Sequence, residues 1–341
     1  MVTVALDVMG SDHGVPEVVN GAASLSTSNR PMNVVLVGDE KQISSALSRC
    51  KHDRNYLDIC HASESIEMHE SPKTALDMKR DCSLLAAARL VKKGEAHALV
   101  SAGNTGAVIL GTARTFQRLP YIRRAALAAV YPTEKLHGPR GDPFALMLDV
   151  GATLHVEAED LVNFAIMGAS YAGIISNNFN PKVALLSNGT EPNKGAPEVV
   201  TAHHALKDVP GMEFIGNVEG LDIPKGTADV IVCEGFLGNV SLKMLEGVFE
   251  VAGDLFNNAY RQKGDLRVGL NMLAPWLGKL RQITDWQQYG GAPILGLDKV
   301  VIKAHGRSKS KAIENALKVA AKSINKKLID KILGGIKEVY P

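Results

Sequence analysis

The stretch Ala98-Leu-Val-Ser-Ala-Gly-Asn-Thr-Gly-Ala-Val-Ile-Leu-Gly111 decides the fold of this chain. Its apolar start is typical of a strand that is buried on both faces of a parallel sheet. The strand ends at Ser101, and a turn over Ser101–Gly106 opens a helix. Such a turn presents backbone N–H groups and hydroxyls to an anion, and the helix dipole assists. The alternative is an Asn or Thr N-cap over a glycine turn that holds no ligand.

The same alternation of short apolar runs and helical patterns extends over almost the whole chain. The predicted strands are Val2–Val8, Asn33–Val37, Tyr56–Cys60, Ala98–Ser101, Leu127–Tyr131, Phe144–Val150, Lys182–Ser187, Glu213–Val218, Asp229–Cys233 and Val300–Ala304. Amphipathic segments such as Thr74–Lys93 and Glu157–Ile175 suit right-handed crossover helices between them. The pattern predicts an α/β fold with a mainly parallel sheet. Length alone suggests either two domains or one large α/β unit with an appendage, and no low-complexity linker divides the chain. We expect one α/β domain over residues 1–341.

Residues 239–287 break this alternation, because they carry no strand pattern. The spacing of apolar residues predicts helix over Asn239–Gln262 and again over Asp265–Ile283. In the second piece leucines share one helical face, and Pro275 either kinks the helix or starts a new one. Three interpretations stay open: an ordinary packed helix, a dimerisation arm, or a helix lying in a membrane surface through residues 265–283.

Composition and cysteine spacing bound the class of protein. Of the 341 residues, 45% are hydrophobic and 22% are charged, which is typical of a soluble globular protein. The four cysteines form no CxxC pair and no metal-ligand spacing, so we predict neither a disulfide framework nor a metal site. The N-terminus lacks a signal-peptide pattern, and no apolar run reaches the ~18 residues of a membrane span. We expect a cytoplasmic protein.

Charge is distributed unevenly along the chain. The net charge is +2, but residues 303–341 alone carry +7 and the remainder carries −5. A basic C-terminal region of this kind is either a solvated helical surface or a docking face for an acidic partner, such as a protein or an anionic membrane.

Polar loops that contain glycine follow six of the predicted strands. Ligands of parallel α/β sheets bind beyond the carboxyl ends of the strands, so these loops predict a polar cleft. The loops are Met9–Gly14, Ala102–Gly106, Asp149–Gly151, Asn188–Gly195, Glu234–Asn239 and His305–Ser308. Within them His13 and His305 are candidate acids, bases or anion ligands, although each also fits a structural histidine.

Several common active-site motifs are missing. No G-x-G-x-x-G follows a strand, and Gly189–Gly195 contains Lys194 but lacks the hydroxyl residue of a nucleotide-binding P-loop. There is also no G-x-S-x-G nucleophile elbow, and Cys233 lies inside an apolar run typical of a core. Nucleotide binding and a covalent nucleophile are therefore disfavoured.

Taken together, the loops resemble the phosphate acyltransferase family of bacterial phospholipid synthesis. The resemblance covers nearly the whole chain in family order. Its stretches are Ala5–Gly14, Val100–Ala107, Leu148–Ala152, Lys194–Gly195, Gly216–Gly220, Asp229–Lys243, Tyr289–Gly296 and Val301–Gly306. It implies a three-layer α/β/α fold, similar to phosphotransacetylases and isocitrate-type dehydrogenases, and a homodimer. It also implies that acyl phosphate is made from acyl-acyl carrier protein and inorganic phosphate, without a cofactor or nucleic acid.

The resemblance assigns roles to individual residues. Lys194 would hold and orient phosphate, and Asn239, at a helix start, would donate to the thioester carbonyl oxygen. The phosphate cradle would be completed by Ser101, Asn104 and Thr105. The cleft would be lined by Asp12, His13, Asn188 and His305. Because phosphate is largely dianionic at pH 7, it can attack the thioester directly, which agrees with the missing nucleophile motif.

The chain departs from the family pattern at several cleft positions, and these departures leave the preferred substrate open. They are Ser11, Cys82, Thr153, Ser187 and Glu234. Two alternatives remain: a phosphotransacetylase-like enzyme that uses acyl-coenzyme A, and a non-catalytic protein that senses acyl chains or phosphate. A nicotinamide-dependent dehydrogenase is disfavoured by the absent dinucleotide fingerprint. The family's role also suggests peripheral attachment to the inner face of the membrane.

Overall fold

The computed structural model describes residues 1–137, 141–261 and 290–340. The strands in these ranges are β1 (Thr3–Asp7), β2 (Asn33–Gly38), β3 (Leu57–His61), β4 (Ala98–Ser101), β5 (Ala126–His137), β6 (Asp142–Leu148), β7 (Lys182–Leu186), β8 (Glu213–Val218), β9 (Val230–Val232), β10 (Ala292–Leu295) and β11 (Val300–Lys303). The helices are α1 (Gly14–Ser26), α2 (Glu40–Leu47), α3 (Pro72–Met78), α4 (Ser83–Lys93), α5 (Thr105–Thr115), α6 (Ala158–Ile175), α7 (Pro197–Lys207), α8 (Asp222–Lys225), α9 (Gly235–Arg261), α10 (Ser310–Asn325) and α11 (Leu328–Val339).

The strands form one sheet in the order β3-β2-β1-β4-β11-β10-β5-β6-β9-β7-β8. Neighbours are parallel except at the centre, where β11–β10, β10–β5 and β5–β6 are antiparallel. The predicted mainly parallel α/β sheet is therefore confirmed.

Helices cover both faces of this sheet, which gives the expected three layers. In β4, Leu99 faces a core that includes residues of α4 and α5, whereas Ala98 and Val100 face a core built with α1 and α10. In the second half of the sheet, Leu146 and Leu148 pack against α6 in a third cluster. Each fully buried aliphatic side chain of this kind contributes about 1.5–3 kcal/mol of stability. Burial on both faces explains why the strands are almost continuously apolar.

The central antiparallel pairs reverse the direction of β6, β9, β7 and β8 relative to β1–β4. The six polar loops therefore do not lie on one sheet edge, as the sequence had suggested, but on the carboxyl ends of two oppositely directed halves. Pairing register nevertheless brings these ends to the same level. Ile294 of β10 pairs with both Val301 and Leu127, and Asp149 accepts a hydrogen bond from the Leu127 N–H. Asp149 is thus about two residues, or ~7 Å, from Lys303 along the strand axis.

Two local predictions differ from the structure. The segment Thr74–Lys93 is not one helix, because α3 ends at Met78 and α4 begins at Ser83. In the break between them the Lys79 ammonium donates to the Ser65 carbonyl and to Glu70. Strand β10 was not predicted at all, since it is four residues long, contains Pro293 and follows two glycines.

Helix α9 begins at Gly235, four residues before the predicted start, and is described to Arg261. The predicted second helix over 265–283 lies outside the described residues, as does the rest of 262–287. Six exposed apolar side chains of α9 recur every three or four residues and lie on one stripe, which consists of Leu237, Val240, Met244, Val248, Val251 and Leu255. Phe236, in the first turn of the helix, is exposed beside this stripe. None of the described helices is long and apolar enough to cross a membrane.

Candidate active site

Three buried polar residues lie side by side at the carboxyl ends of β1, β4 and β11. Asp7 pairs with Ser101, and Ser101 pairs with Lys303, so the three residues form one row across the sheet. The Ser101 hydroxyl donates to Asp7 Oδ2 over 2.7 Å and accepts from the Gly103 N–H over 3.1 Å. The single O–H donor of this hydroxyl is used by Asp7 and is not available to an anion. The geometry therefore favours a positioning role for Ser101 over direct contact with an anion.

Lys303 is the charged residue of this row that sequence reasoning missed. Its side chain is 4% exposed, and burial lowers its pKa to about 8, although Asp7 and Asp12 act in the opposite direction. Burial likewise raises the pKa of Asp7, while hydrogen bonds from Ser83 and Ser101 oppose the rise. Ser83 is the retained member of the Cys82-Ser83 pair, so that departure keeps the contact with Asp7. The burial of Lys303 could not be predicted, because a lysine at the end of an apolar strand is usually exposed in the loop that follows.

Asp12 contacts Gly306, the residue that follows His305, and His13 follows Asp12 in the chain. The Asp12 N–H donates to the Gly306 carbonyl over 3.1 Å, and His13 precedes the first residue of α1. His305 Nδ1 accepts from the Arg307 N–H over 3.1 Å. Partial desolvation lowers the pKa of His305, and the cations Lys303 and Arg307 lower it further. These three predicted residues are therefore brought together, and His305 is held towards its neutral form.

Asn104 caps helix α5. Its Oδ1 accepts from the Ala107 N–H over 3.1 Å, and its Nδ2 donates to the carbonyls of Met68 and Glu70 over 3.0 and 3.1 Å. The Asn104 side chain therefore caps α5, as one of the two alternatives for this turn predicts. The backbone N–H groups of Thr105 and Gly106 lie in the first turn of the helix, where the helix itself supplies no acceptor, so the turn retains donors for an anion.

The loop after β6 is organised by Asp149, which is fully buried. Its carboxylate accepts from the N–H groups of Leu127, Gly151, Ala152 and Thr153 over 2.7–3.1 Å, and from the Thr153 hydroxyl over 2.8 Å. The Thr153 hydroxyl in turn accepts from the Gly235 N–H over 3.1 Å. Thr153, a departure from the family pattern, thereby joins this loop to the start of α9.

Asn239 lies in the first turns of α9, against Gly151. A Cβ atom on Gly151 would stand 3.3 Å from Asn239 Nδ2, and the glycine has φ +139°, which side chains other than hydrogen rarely tolerate. The missing side chain at Gly151 therefore makes room for the Asn239 amide itself.

Lys194 and Asn188 are exposed on the loop after β7. The Lys194 N–H donates to the Glu191 carbonyl over 3.1 Å, and its aliphatic stem passes Gly189, where a Cβ would come within 2.8 Å of Lys194 Cγ. The Lys194 ammonium makes no hydrogen bond or ion pair within the described ranges, which leaves it available to a ligand. Since β7 neighbours β9, the Lys194 loop adjoins the start of α9 at the same sheet edge.

Helix α9 connects the two groups of predicted residues. It starts beside Asp149 and Thr153, and the charge of Lys243, one turn after Asn239, acts on His305. Glu246 in the following turn is near Lys243 and Arg307, whose charges oppose the rise that partial burial causes in its pKa. Helix α9 is therefore the element that relates Lys194 and Asn239 to the Asp12–His305 group.

An apolar cavity of about 270 Å³ lies elsewhere, between β5, β6, α6 and α10. Its walls include Val130, Leu146, Tyr171 and Val319, and none of the predicted site residues lines it. The candidate site therefore lies at the strand ends and not in this cavity.

Comparison with known proteins is consistent along the whole chain. A family model described as "Fatty acid synthesis protein" matches residues 2–331. A "Phosphate acyltransferase" of Dictyoglomus turgidum is 42% identical over 338 residues, covering 98% of each chain. One from Heliobacterium modesticaldum is 42% identical over 96% of this chain and 95% of its own. One from Myxococcus xanthus is 41% identical over 93% of this chain and 88% of its own.

Solved structures share the fold at low sequence identity. A phosphotransacetylase from Streptococcus pyogenes superposes with a TM-score of 0.65 at 18% identity, over 96% of this chain and 94% of that one. A branched-chain phosphotransacylase from Enterococcus faecalis gives a TM-score of 0.56 at 16% identity, over 95% and 99%. These likenesses support the three-layer architecture.

Proposed function

Because the chain belongs to the fatty acid synthesis protein family, we propose that it transfers an acyl group from acyl carrier protein to inorganic phosphate. The product is an acyl phosphate for phospholipid synthesis. The chain is an acyltransferase, as its relatives named phosphate acyltransferase show. The observation that carries the proposal is the exposed Lys194 ammonium, which has no hydrogen-bond or ion-pair partner among the described residues, on a loop next to the start of α9, where Asn239 lies.

In the proposed reaction an oxygen lone pair of phosphate attacks the thioester carbonyl carbon. The carbonyl oxygen gains the negative charge, the C–O bond forms, and the C–S bond then breaks. The carrier leaves as a thiolate, which takes a proton from the phosphate group or from water. The enzyme's task is to position two substrates and stabilise the oxyanion, because dianionic phosphate needs no protein base.

Lys194 and Asn239 have complementary tasks in this proposal. The Lys194 ammonium orients phosphate by a charge-assisted contact. The Asn239 amide donates to the developing oxyanion, and one such donor is worth about 2.7–4 kcal/mol in comparable sites. The close approach of the Asn239 amide to Gly151 supports this role, because it brings the amide to the loop that follows β6.

The second group of residues would bind the anionic part of a substrate. The first-turn N–H groups of α5, together with Thr105 and His305, are suited to an anion. Asp12, His13 and Asn188 would line the cleft. Lys303 would supply positive charge from below, while Ser101 and Asn104 hold the strand end and the turn in place.

Two surfaces suit macromolecular partners. The basic region over residues 303–341 has charge complementary to acyl carrier proteins, which are acidic. The apolar stripe of α9 is suited to pairing with the same stripe of a second copy, since six exposed apolar residues on one helix face favour burial. We propose a homodimer through this stripe, and peripheral membrane contact through residues 265–283 within the 239–287 segment.

The proposal is tested by supplying phosphate with either acyl-acyl carrier protein or the matching acyl-coenzyme A, and by following consumption of each thioester. We expect faster consumption of the carrier thioester, and a rate that falls as ionic strength rises. Preference for the coenzyme thioester would instead indicate a phosphotransacetylase-like enzyme. Tight binding without turnover would indicate a sensor.

A further inference from the structure

We propose that Asn217 and His203 are positioning residues that hold the loop of Lys194 in its reactive geometry. The inference rests on the proposed catalytic role of Lys194. Neither residue touches the reacting groups, and both act through one backbone carbonyl.

A tight turn presents Lys194. Residues 191–194 form a turn in which the Lys194 N–H donates to the Glu191 carbonyl over 3.1 Å. Pro192 occupies the second position, where its fixed φ is favourable, and Asn193 is not among the residues with positive φ. These features are typical of a type I turn. The position of the Glu191 carbonyl therefore determines where the Lys194 backbone lies.

Asn217 holds this same carbonyl. Its Nδ2 donates to the Glu191 oxygen over 2.9 Å, so one oxygen accepts from both Asn217 and Lys194. Asn217 belongs to β8, is 6% exposed and pairs with Leu185 of β7. The contact thus anchors an exposed loop to a buried strand.

His203 on α7 fixes the orientation of the Asn217 amide. Its Nδ1 lies 2.8 Å from Asn217 Oδ1. Because Nδ2 of Asn217 donates to a carbonyl, Oδ1 must accept, and His203 must carry its proton on Nδ1. His203 is 2% exposed, and its ring packs edge-on against Phe214 at 5.2 Å between centroids. The imidazole therefore has a defined tautomer and little freedom to turn.

The loop needs such an anchor because its own contacts are few. Lys194 is exposed, and the chain leaves the turn through Gly195 at φ +104°, where a Cβ would come within 2.8 Å of Ser187 Oγ. A glycine on each side of the turn gives the unfolded loop many alternative conformations. Loss of the Asn217 contact should spread the Lys194 ammonium over several positions, and small displacements reduce rates strongly.

The test combines Asn217→Ala with Lys194→Ala and with both changes together, measured as kcat and KM with acyl-acyl carrier protein and phosphate. We expect Asn217→Ala to lower kcat 10- to 100-fold with KM for the thioester changed less than twofold. In the double variant the Asn217 change should add nothing to the loss caused by Lys194→Ala, because both act on one group. Losses that multiply would overturn the inference.

Hydrogen exchange gives a second readout that does not depend on turnover. Amide hydrogen exchange in a peptide covering residues 187–197 should be faster in Asn217→Ala, while the melting temperature of the protein stays unchanged. The matched control is Asn180→Ala, which removes a hydrogen bond of 2.9 Å to Glu213 that links the starts of β7 and β8. The control should change neither kcat nor exchange in this peptide.

A pair of His203 variants covers the case in which Asn217→Ala does not fold. His203→Leu removes the donor and should lower kcat, whereas His203→Asn places an amide N–H where Nδ1 stood, can donate to Asn217 and should retain most of the kcat. Equal kcat in the two variants would overturn the inference. Full turnover by Lys194→Ala would overturn the proposed role of Lys194 together with the inference, whereas no acyl phosphate from the parent protein would overturn the proposed function. If Lys194→Ala loses turnover while Asn217→Ala keeps its kcat, only the inference is overturned.

Discussion

The Ser101 hydroxyl donates a hydrogen bond of 2.7 Å to Asp7 Oδ2 and thereby joins the carboxyl ends of β4 and β1. Both residues are buried, so the contact satisfies a carboxylate that has little access to water. The turn that first drew attention in the sequence is therefore held from below by its own serine.

Replacement of that serine tests its role. Ser101→Ala should lower the free energy of unfolding by about 1–3 kcal/mol, because Asp7 loses a donor in a buried setting. Chemical denaturation measures this change, with Ser65→Ala as a control at an exposed hydroxyl. If Ser101 contacts phosphate directly, the variant would instead keep its stability and show a raised KM for phosphate.

Lys303 predicts a dependence of stability on pH. Its pKa is lowered to about 8 in the folded protein, below the ~10.4 of an unfolded lysine. Between these values the unfolded chain binds a proton that the folded protein has released, so stability rises with pH. Between pH 7.5 and pH 10 the free energy of unfolding should rise by on the order of 2 kcal/mol relative to that of Lys303→Met. Denaturation of both proteins across this range measures the gain.

A difference that stays flat, or falls with pH, would contradict a buried lysine of lowered pKa. Comparison with a single-site variant cancels the titration of the other lysines and tyrosines, provided that both proteins are folded over the range.

Lys194 should be needed for turnover and not for folding. Lys194→Ala should lower acyl-phosphate formation 100-fold or more, on the order of a lost charge-assisted contact in a transition state. Its melting temperature should be unchanged, because the ammonium is exposed and makes no described contact. Lys207→Ala, an exposed lysine of the next helix, serves as the control. Turnover near the parent value in Lys194→Ala would remove this residue from the mechanism.

The apolar stripe of α9 should mediate self-association. Met244 is 70% exposed and Val248 is 58% exposed in the single chain. A charge at either position would be buried without a partner in a dimer, so Met244→Glu should give monomers in light scattering after gel filtration. Asn257→Glu, on an exposed polar position of the same helix, should stay dimeric. An unaltered mass for Met244→Glu would place the interface elsewhere.

Sequence patterns predicted the parts of the fold that depend on local periodicity. The apolar runs at Ala98–Ser101 and Lys182–Leu186 are strands in the structure, because burial on both faces dictates their composition. The reversal at β10 could not be predicted, since strand direction depends on which neighbour supplies the hydrogen bonds. Pro293 also masked β10 itself.

The site was predicted where glycine turns follow strands, and missed where partners are distant in sequence. Lys303 lies in one row with Asp7 and Ser101 only because β4 pairs with both β11 and β1. The contact between His203 and Asn217 depends on how α7 packs near β8. Lys194 and Asn239 came from family resemblance, because an exposed lysine and a helix-start asparagine are ordinary residues by themselves.

The central claim is direct transfer of an acyl group to phosphate, with Lys194 orienting the nucleophile. The most direct measurement is mass spectrometry of the products formed from acyl-acyl carrier protein and phosphate labelled with ¹⁸O at all oxygens. The account predicts an acyl phosphate that retains every labelled oxygen and an unlabelled carbonyl, released with one free carrier per turnover, and almost none of it from Lys194→Ala. Unlabelled free fatty acid as the enzymatic product, or equal yields from the two proteins, would contradict it.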